Sequence, residues 1–149
     1  MDLSTNDARI ALAKKYGAKY NLAFFYVAAV CEQESSWNPW AARFEPEFYQ
    51  RYISGMNLPD ATERQMRATS FGLMQIMGQV AREHGFNGKF LTELCDPDIG
   101  VDIACRKLSA CFTSYGDKPE VALLSYNGGG NPEYGKQVLD RVPKYQEVA

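Results

Sequence analysis

The chain has 149 residues, 46% of them hydrophobic and 23% charged, which suits one globular domain able to bury a sizeable core. Its formal net charge is −2 and it has no lysine-arginine block, so neither nucleic-acid binding nor electrostatic anchoring to an anionic surface is supported. No uncharged run approaches the length of a membrane span, which sets aside stable membrane insertion.

The N-terminus, Met1-Asp2-Leu3-Ser4-Thr5-Asn6-Asp7, has an early acid and no apolar signal region, so synthesis in the cytoplasm without a signal peptide is expected. Ser4 to Asp7 read as the cap of a first helix running to about Tyr16, with Gly17 as its stop. The uncharged run Leu22-Ala23-Phe24-Phe25-Tyr26-Val27-Ala28-Ala29-Val30-Cys31 predicts a buried helix from near Asn21 to Ser36, ended by Asn38-Pro39. Phe44, Phe48, Tyr49, Tyr52 and Ile53 suggest one short helix, broken at Ser54-Gly55, and Leu58 to Glu63 reads as a helix start or a loop. Ser70-Phe71-Gly72 reads as the glycine-punctuated beginning of a helix through His84, capped by Gly85. After a turn at Asn87-Gly88, Asp96-Pro97-Asp98 opens a helix with the stripe Val101, Ala104, Cys105, Leu108, Cys111 and Phe112. Glu120 to Ser125 reads as a short apolar helix and Tyr126 to Pro132 as a loop. A last helix would place Tyr134, Val138, Val142 and Tyr145 on one side. With no repeat or linker, the expectation is a single, mostly α domain over residues 1–149, with room for one small hairpin in residues 54–72.

Cys31, Cys95, Cys105 and Cys111 contain no Cys-x-x-Cys pair, and reduced core thiols are the simpler reading. His84 is the only histidine and no ligand spacing surrounds it, so neither a metal site nor a cofactor is expected.

Glu34 is the residue that points to chemistry. Helical spacing puts it on the stripe of Val27, Val30 and Cys31, facing packed apolar surface. A carboxyl there loses hydration, so its pKa rises toward neutral and it can donate a proton, as cleavage of a glycosidic bond requires. Glu32 is the rival, but it lies roughly 200° around the helix. Three segments then stand together: Glu34-Ser35-Ser36-Trp37-Asn38-Pro39, Ser70-Phe71-Gly72-Leu73-Met74-Gln75, and Ser125-Tyr126-Asn127-Gly128-Gly129.

With Tyr145 closing the series, these segments resemble the soluble-type lytic transglycosylases and the related goose-type lysozymes. That family carries Glu-Ser at the end of a buried helix, then Gly-Leu-Met-Gln, Ala-Tyr-Asn-x-Gly and a late tyrosine. The resemblance covers about Leu22 to Tyr145. Ser125 stands in place of the family's alanine, and the gap from Glu34 to Gly72 is longer than in compact members. It implies a lysozyme-like fold with Glu34 as the catalytic acid and Ser35, Gly72, Leu73, Met74, Gln75, Tyr126, Asn127 and Tyr145 as substrate-side residues. In physical terms, Gly72 would let a polymer approach the backbone, and Gln75 would offer a donor and an acceptor to sugar groups. Asn127 could bind sugar, Tyr126 and Tyr145 could hold the Glu34 carboxyl, and Phe71 with Met74 would raise its pKa.

Ordinary glycosidases need two carboxylates flanking the bond, whereas the resembled transglycosylases need one. Glu45, in Arg43-Phe44-Glu45-Pro46, is the leading candidate for a second carboxylate, against a simpler reading as a salt-bridge partner. The expected function is cleavage of the MurNAc-β-1,4-GlcNAc bond of peptidoglycan glycan strands with 1,6-anhydro ends. The expected setting is a monomeric phage or prophage endolysin that acts at the cell wall after release. A hydrolytic muramidase is the alternative; a non-catalytic peptidoglycan-binding module is weaker, because the acid position is intact.

Overall fold

The Thr5 hydroxyl accepts the Ala8 N–H at 3.3 Å and so begins α1, Asn6–Lys19, in the computed structural model, which describes residues 1–148. Gly17 lies inside α1 and does not stop it. A Cβ there would sit 2.8 Å from the Leu22 carbonyl oxygen, so the missing side chain lets the following segment close on the helix. That segment leads into α2, Phe24–Ser35, in which Val27, Ala28, Ala29 and Val30 are wholly buried. α2 ends at Ser36, whose φ of 51° and that of Trp37 at 65° turn the chain away before Asn38-Pro39 is reached.

The chain divides into two units, a terminal one of Met1–Trp37 with the residues from Cys105 onward, and a middle one of Asn38–Ala104. In the terminal unit α2 packs against α1, and also against α8, Tyr134–Leu139, and α9, Val142–Gln146, while α7, Pro119–Asn127, packs on α8. The single helix expected after Pro132 is therefore two, and Tyr126 and Asn127 belong to the last turn of α7, not to a loop. The Val101–Phe112 stripe lies on α6, Pro97–Tyr115, whose residues from Cys105 belong to this unit.

In the middle unit the strands β1, Ala42–Phe44, β2, Thr69–Phe71, and β3, Ile76–Met77, form an antiparallel sheet in that order. Its register pairs Ala42 with Phe71 and Phe44 with Thr69, so the sheet draws on residues outside the 54–72 window expected for a hairpin. Phe44 is thus a strand residue, and the short helix starts after it as α3, Pro46–Phe48, passing into a π-helical turn over Tyr49–Ile53. The Asp60 carboxylate accepts the Thr62 and Glu63 N–H groups at 2.8 and 3.1 Å and starts α4, Ala61–Arg67. The helix expected from Ser70 to His84 is confined to α5, Gly78–Glu83, because its first half is the β2–β3 hairpin. Glu63 on α4 bonds Arg82 on α5 at 2.8 Å and Arg67 at 3.1 Å. Burial opposes its charge, but the two guanidiniums bring its pKa below the usual carboxylate range.

Candidate active site

α2 carries Glu34 on the same side as its buried apolar residues, and the first residue of α8 meets it there. The Tyr134 hydroxyl donates to Glu34 Oε1 at 2.7 Å. Burial raises the Glu34 pKa above its ordinary value, while the Tyr134 hydrogen bond and the Lys107 charge pull against that rise. Tyr134 is 2% exposed, and its own hydroxyl is pushed far up by burial and then by the Glu34 charge, so it remains a donor at any working pH.

Lys107 reaches this cluster from α6. Its Nζ donates to the Tyr126 carbonyl at 2.6 Å and stands 4.6 Å from the centre of the Tyr126 ring. The cation is thereby fixed at the C-terminal end of α7, where the helix dipole favours positive charge. Tyr126 is buried, and burial followed by the Glu34 charge pushes its hydroxyl well up. The four cysteines are free thiols; Cys31, one turn before Glu34 on α2, has its pKa raised chiefly by burial, with the neighbouring Cys105 thiol and the Glu34 carboxylate adding to the rise.

Tyr145 does not meet Glu34. Its hydroxyl donates to Glu32 Oε2 at 2.8 Å and accepts the Trp37 Nε1–H at 3.0 Å. Glu32 also takes the Lys144 ammonium; burial raises its pKa, but these partners more than offset that and leave it low. The tyrosine at the candidate acid is therefore Tyr134. The sequence carries a signal for it, since Tyr134 falls on the apolar side of the last helix, but a continuous helix would send Tyr145 to the same place.

Ser35 bonds back to the Cys31 carbonyl at 3.0 Å, the i−4 contact usual for a serine near a helix end. Asn127 Oδ1 accepts the Asn131 N–H at 3.1 Å and so holds the glycine-rich loop against α7.

In the middle unit Gly72 to Gln75 form the turn of the β2–β3 hairpin. Gly72 has a φ of 76°, and a Cβ there would lie 2.5 Å from the Leu94 carbonyl oxygen, so its bare backbone is already covered by the protein itself. Leu73 and Met74 are 2% and 1% exposed, which leaves them core side chains. Gln75 Nε2 donates to the carbonyls of Ala41 at 2.9 Å and Gly72 at 3.0 Å, so both amide hydrogens pin the turn and only the oxygen remains for a ligand. Glu45 pairs with Arg43 at 3.0 Å in the same unit. The Arg43 side chain is 75% exposed, which makes this a weak surface pair.

Tyr134→Phe removes the hydroxyl bonded to Glu34 Oε1. The charged form then loses its donor, the Glu34 pKa moves further up, and the alkaline limb of the pH–rate profile shifts to higher pH. The rate at the optimum is expected to fall roughly tenfold, the worth of one hydrogen bond to a charged group. Carbon-13 NMR of the Glu34 carboxyl reads the titration directly, and an unmoved curve would show that this hydrogen bond does not govern it.

A family model described as Transglycosylase SLT domain matches residues 11–144. No curated protein matches the chain, and no solved structure does.

Proposed function

The chain belongs to the transglycosylase SLT family, lysozyme-like enzymes that degrade peptidoglycan, and from that premise we propose that it cleaves the MurNAc-β-1,4-GlcNAc bond with Glu34 as its acid and base. The observation that carries this is the Glu34 carboxyl itself: half-buried, raised in pKa by desolvation, and held by Tyr134 at 2.7 Å. A group so placed keeps its proton to higher pH than an exposed carboxyl does, and it can give that proton to the departing GlcNAc O4 as the C1–O4 bond breaks. The N-acetyl oxygen shields the electron-poor C1. The Glu34 carboxylate then takes the proton of the MurNAc 6-hydroxyl, whose oxygen bonds to C1 and closes the 1,6-anhydro ring. No water is consumed, and Glu34 ends as it began, protonated.

Lys107 supports the second half of this cycle, because a nearby fixed cation stabilises the carboxylate left after the first transfer. The rise of the Glu34 pKa comes from burial, with no contribution from a second acid among the described residues. Glu32 is engaged with Lys144 and Tyr145. Both points favour one carboxyl over the flanking pair of a conventional glycosidase.

The family match spans residues of both units, which supports reading 1–149 as one catalytic domain. We assign the protein to a phage or prophage endolysin acting as a monomer on the wall. Among the described residues no helix is long and apolar enough to cross a membrane. Dye-labelled sacculi incubated with the protein should release soluble label, and Glu45→Gln should do so within about twofold of the parent rate, as befits one side of a weak surface pair. A parent that releases nothing would refute the enzymatic assignment, and a Glu45→Gln loss of a hundredfold would restore a second carboxylate.

A further inference from the structure

The face of α2 opposite Glu34 opens on a cavity of about 460 Å³ in the terminal unit, a size typical of small-ligand sites. Glu32 lines it, together with residues of α1, Trp37 and α9, and no step assigned to Glu34 uses it.

Three cations line this cavity, Arg9, Lys14 and Lys144, against two anions, Asp7 and Glu32, in a chain whose net charge is −2. Glu32 is already satisfied by Lys144 and the Tyr145 hydroxyl, and Trp37 donates to that hydroxyl in turn. This closed network makes a rigid aromatic floor with its polar atoms spent. Arg9 lies over the Trp37 ring at 5.6 Å and is held by its Nε–H to the Leu3 carbonyl at 2.8 Å. Its two terminal nitrogens have no hydrogen-bond partner among the described residues, and Lys14 has no anionic one. A guanidinium fixed along one edge and open along the other suits a carboxylate, which it can grip through two parallel N–H bonds. Ile10 and Ala11 add apolar surface, and the Asp7 carboxylate on the same lining suits an ammonium group.

We propose that this cavity binds the stem peptide of peptidoglycan, its free carboxylate held by Arg9 and Lys14 over the Trp37 floor. The proposal rests on peptidoglycan being the substrate. A stem peptide combines the carboxylate, the small apolar side chains and the amine that these walls match.

The test is titration calorimetry of the whole protein with a synthetic stem tetrapeptide, with Trp37 emission as a second readout. The expected result is binding that weakens at least about tenfold when the terminal carboxylate is amidated, the loss of one charge-assisted contact. Arg9→Gln and Lys14→Glu should weaken it comparably. Should Arg9→Gln fail to fold, Lys14→Glu and the amidated peptide decide. No binding, equal binding of the amide, or equal binding of an unrelated tetrapeptide with a free carboxylate would overturn the proposal. The peptide has no glycosidic bond, so this outcome is separate from cleavage: anhydro products without peptide binding would remove the stem site and leave the enzyme assignment standing.

Discussion

Glu34→Gln should lower the initial rate of glycan cleavage by about 10²–10⁴-fold, the usual contribution of a positioned general acid-base group. The amide keeps the shape of the side chain, and its oxygen can still accept from the Tyr134 hydroxyl that now bonds Oε1 at 2.7 Å. What is lost is the proton that moves. Stability should change in the other direction. The folded-state pKa of Glu34 is raised, so above the ordinary carboxylate pKa the folded protein binds more protons than the unfolded chain, and stability falls as pH rises through that window. A neutral amide removes this penalty, so Glu34→Gln should melt no lower than the parent at neutral pH. Rates on purified sacculi and a melting curve separate the two effects; an intact melting curve with unchanged lysis would take Glu34 out of the chemistry.

Gly72→Ala should act on folding. The new Cβ would lie 2.5 Å from the Leu94 carbonyl oxygen, which belongs to the backbone and cannot rotate aside, and the φ of 76° disfavours any side chain. Left-handed strain of about 1–2 kcal/mol adds to about 1–3 kcal/mol for forcing apart packed backbone, so the expected loss is roughly 3 kcal/mol. For a domain of this length that is a fall in Tm of about 10 °C. Calorimetry checks it, and a Tm within 2 °C of the parent would show that the turn relaxes at little cost.

These two residues show what the sequence could and could not disclose. Glu34 was legible because a single period governs α2: an acid on the stripe of Val27, Val30 and Cys31 has few places to go once those residues are buried. Thr5 was also legible, within the polar run Ser4 to Asp7 ahead of the first helix, whereas Leu58 to Glu63 left a helix start and a loop equally open and Asp60 proves to be a cap. Gly72 was seen, but its role was not, because the carbonyl that crowds it belongs to Leu94 and approaches only in the folded middle unit. The same holds for Gln75, which looked like a sugar ligand until Ala41, distant in sequence, took one of its hydrogens. The hairpin was hidden for a similar reason: its turn needs positive φ at Gly72 and Gln75, and only the glycine advertises that.

Tyr134 and Tyr145 give the clearest case. Eleven residues apart on one helix, they would differ by only about 20° in direction, so a continuous helix would aim both at one place. The chain breaks between Leu139 and Val142 instead. The break sends Tyr134 to Glu34 and Tyr145 to Glu32, two carboxylates on opposite faces of α2. Nothing in the spacing marks the break, and it decides which tyrosine meets the acid.

In the proposed reaction one half-buried carboxyl, with no water as nucleophile, cuts the glycan. Mass spectrometry of the soluble products from purified sacculi tests it most directly. Fragments ending in 1,6-anhydro-MurNAc, each lighter by one water than its reducing counterpart, are the expected result; fragments with reducing MurNAc ends would contradict it and identify a hydrolytic muramidase.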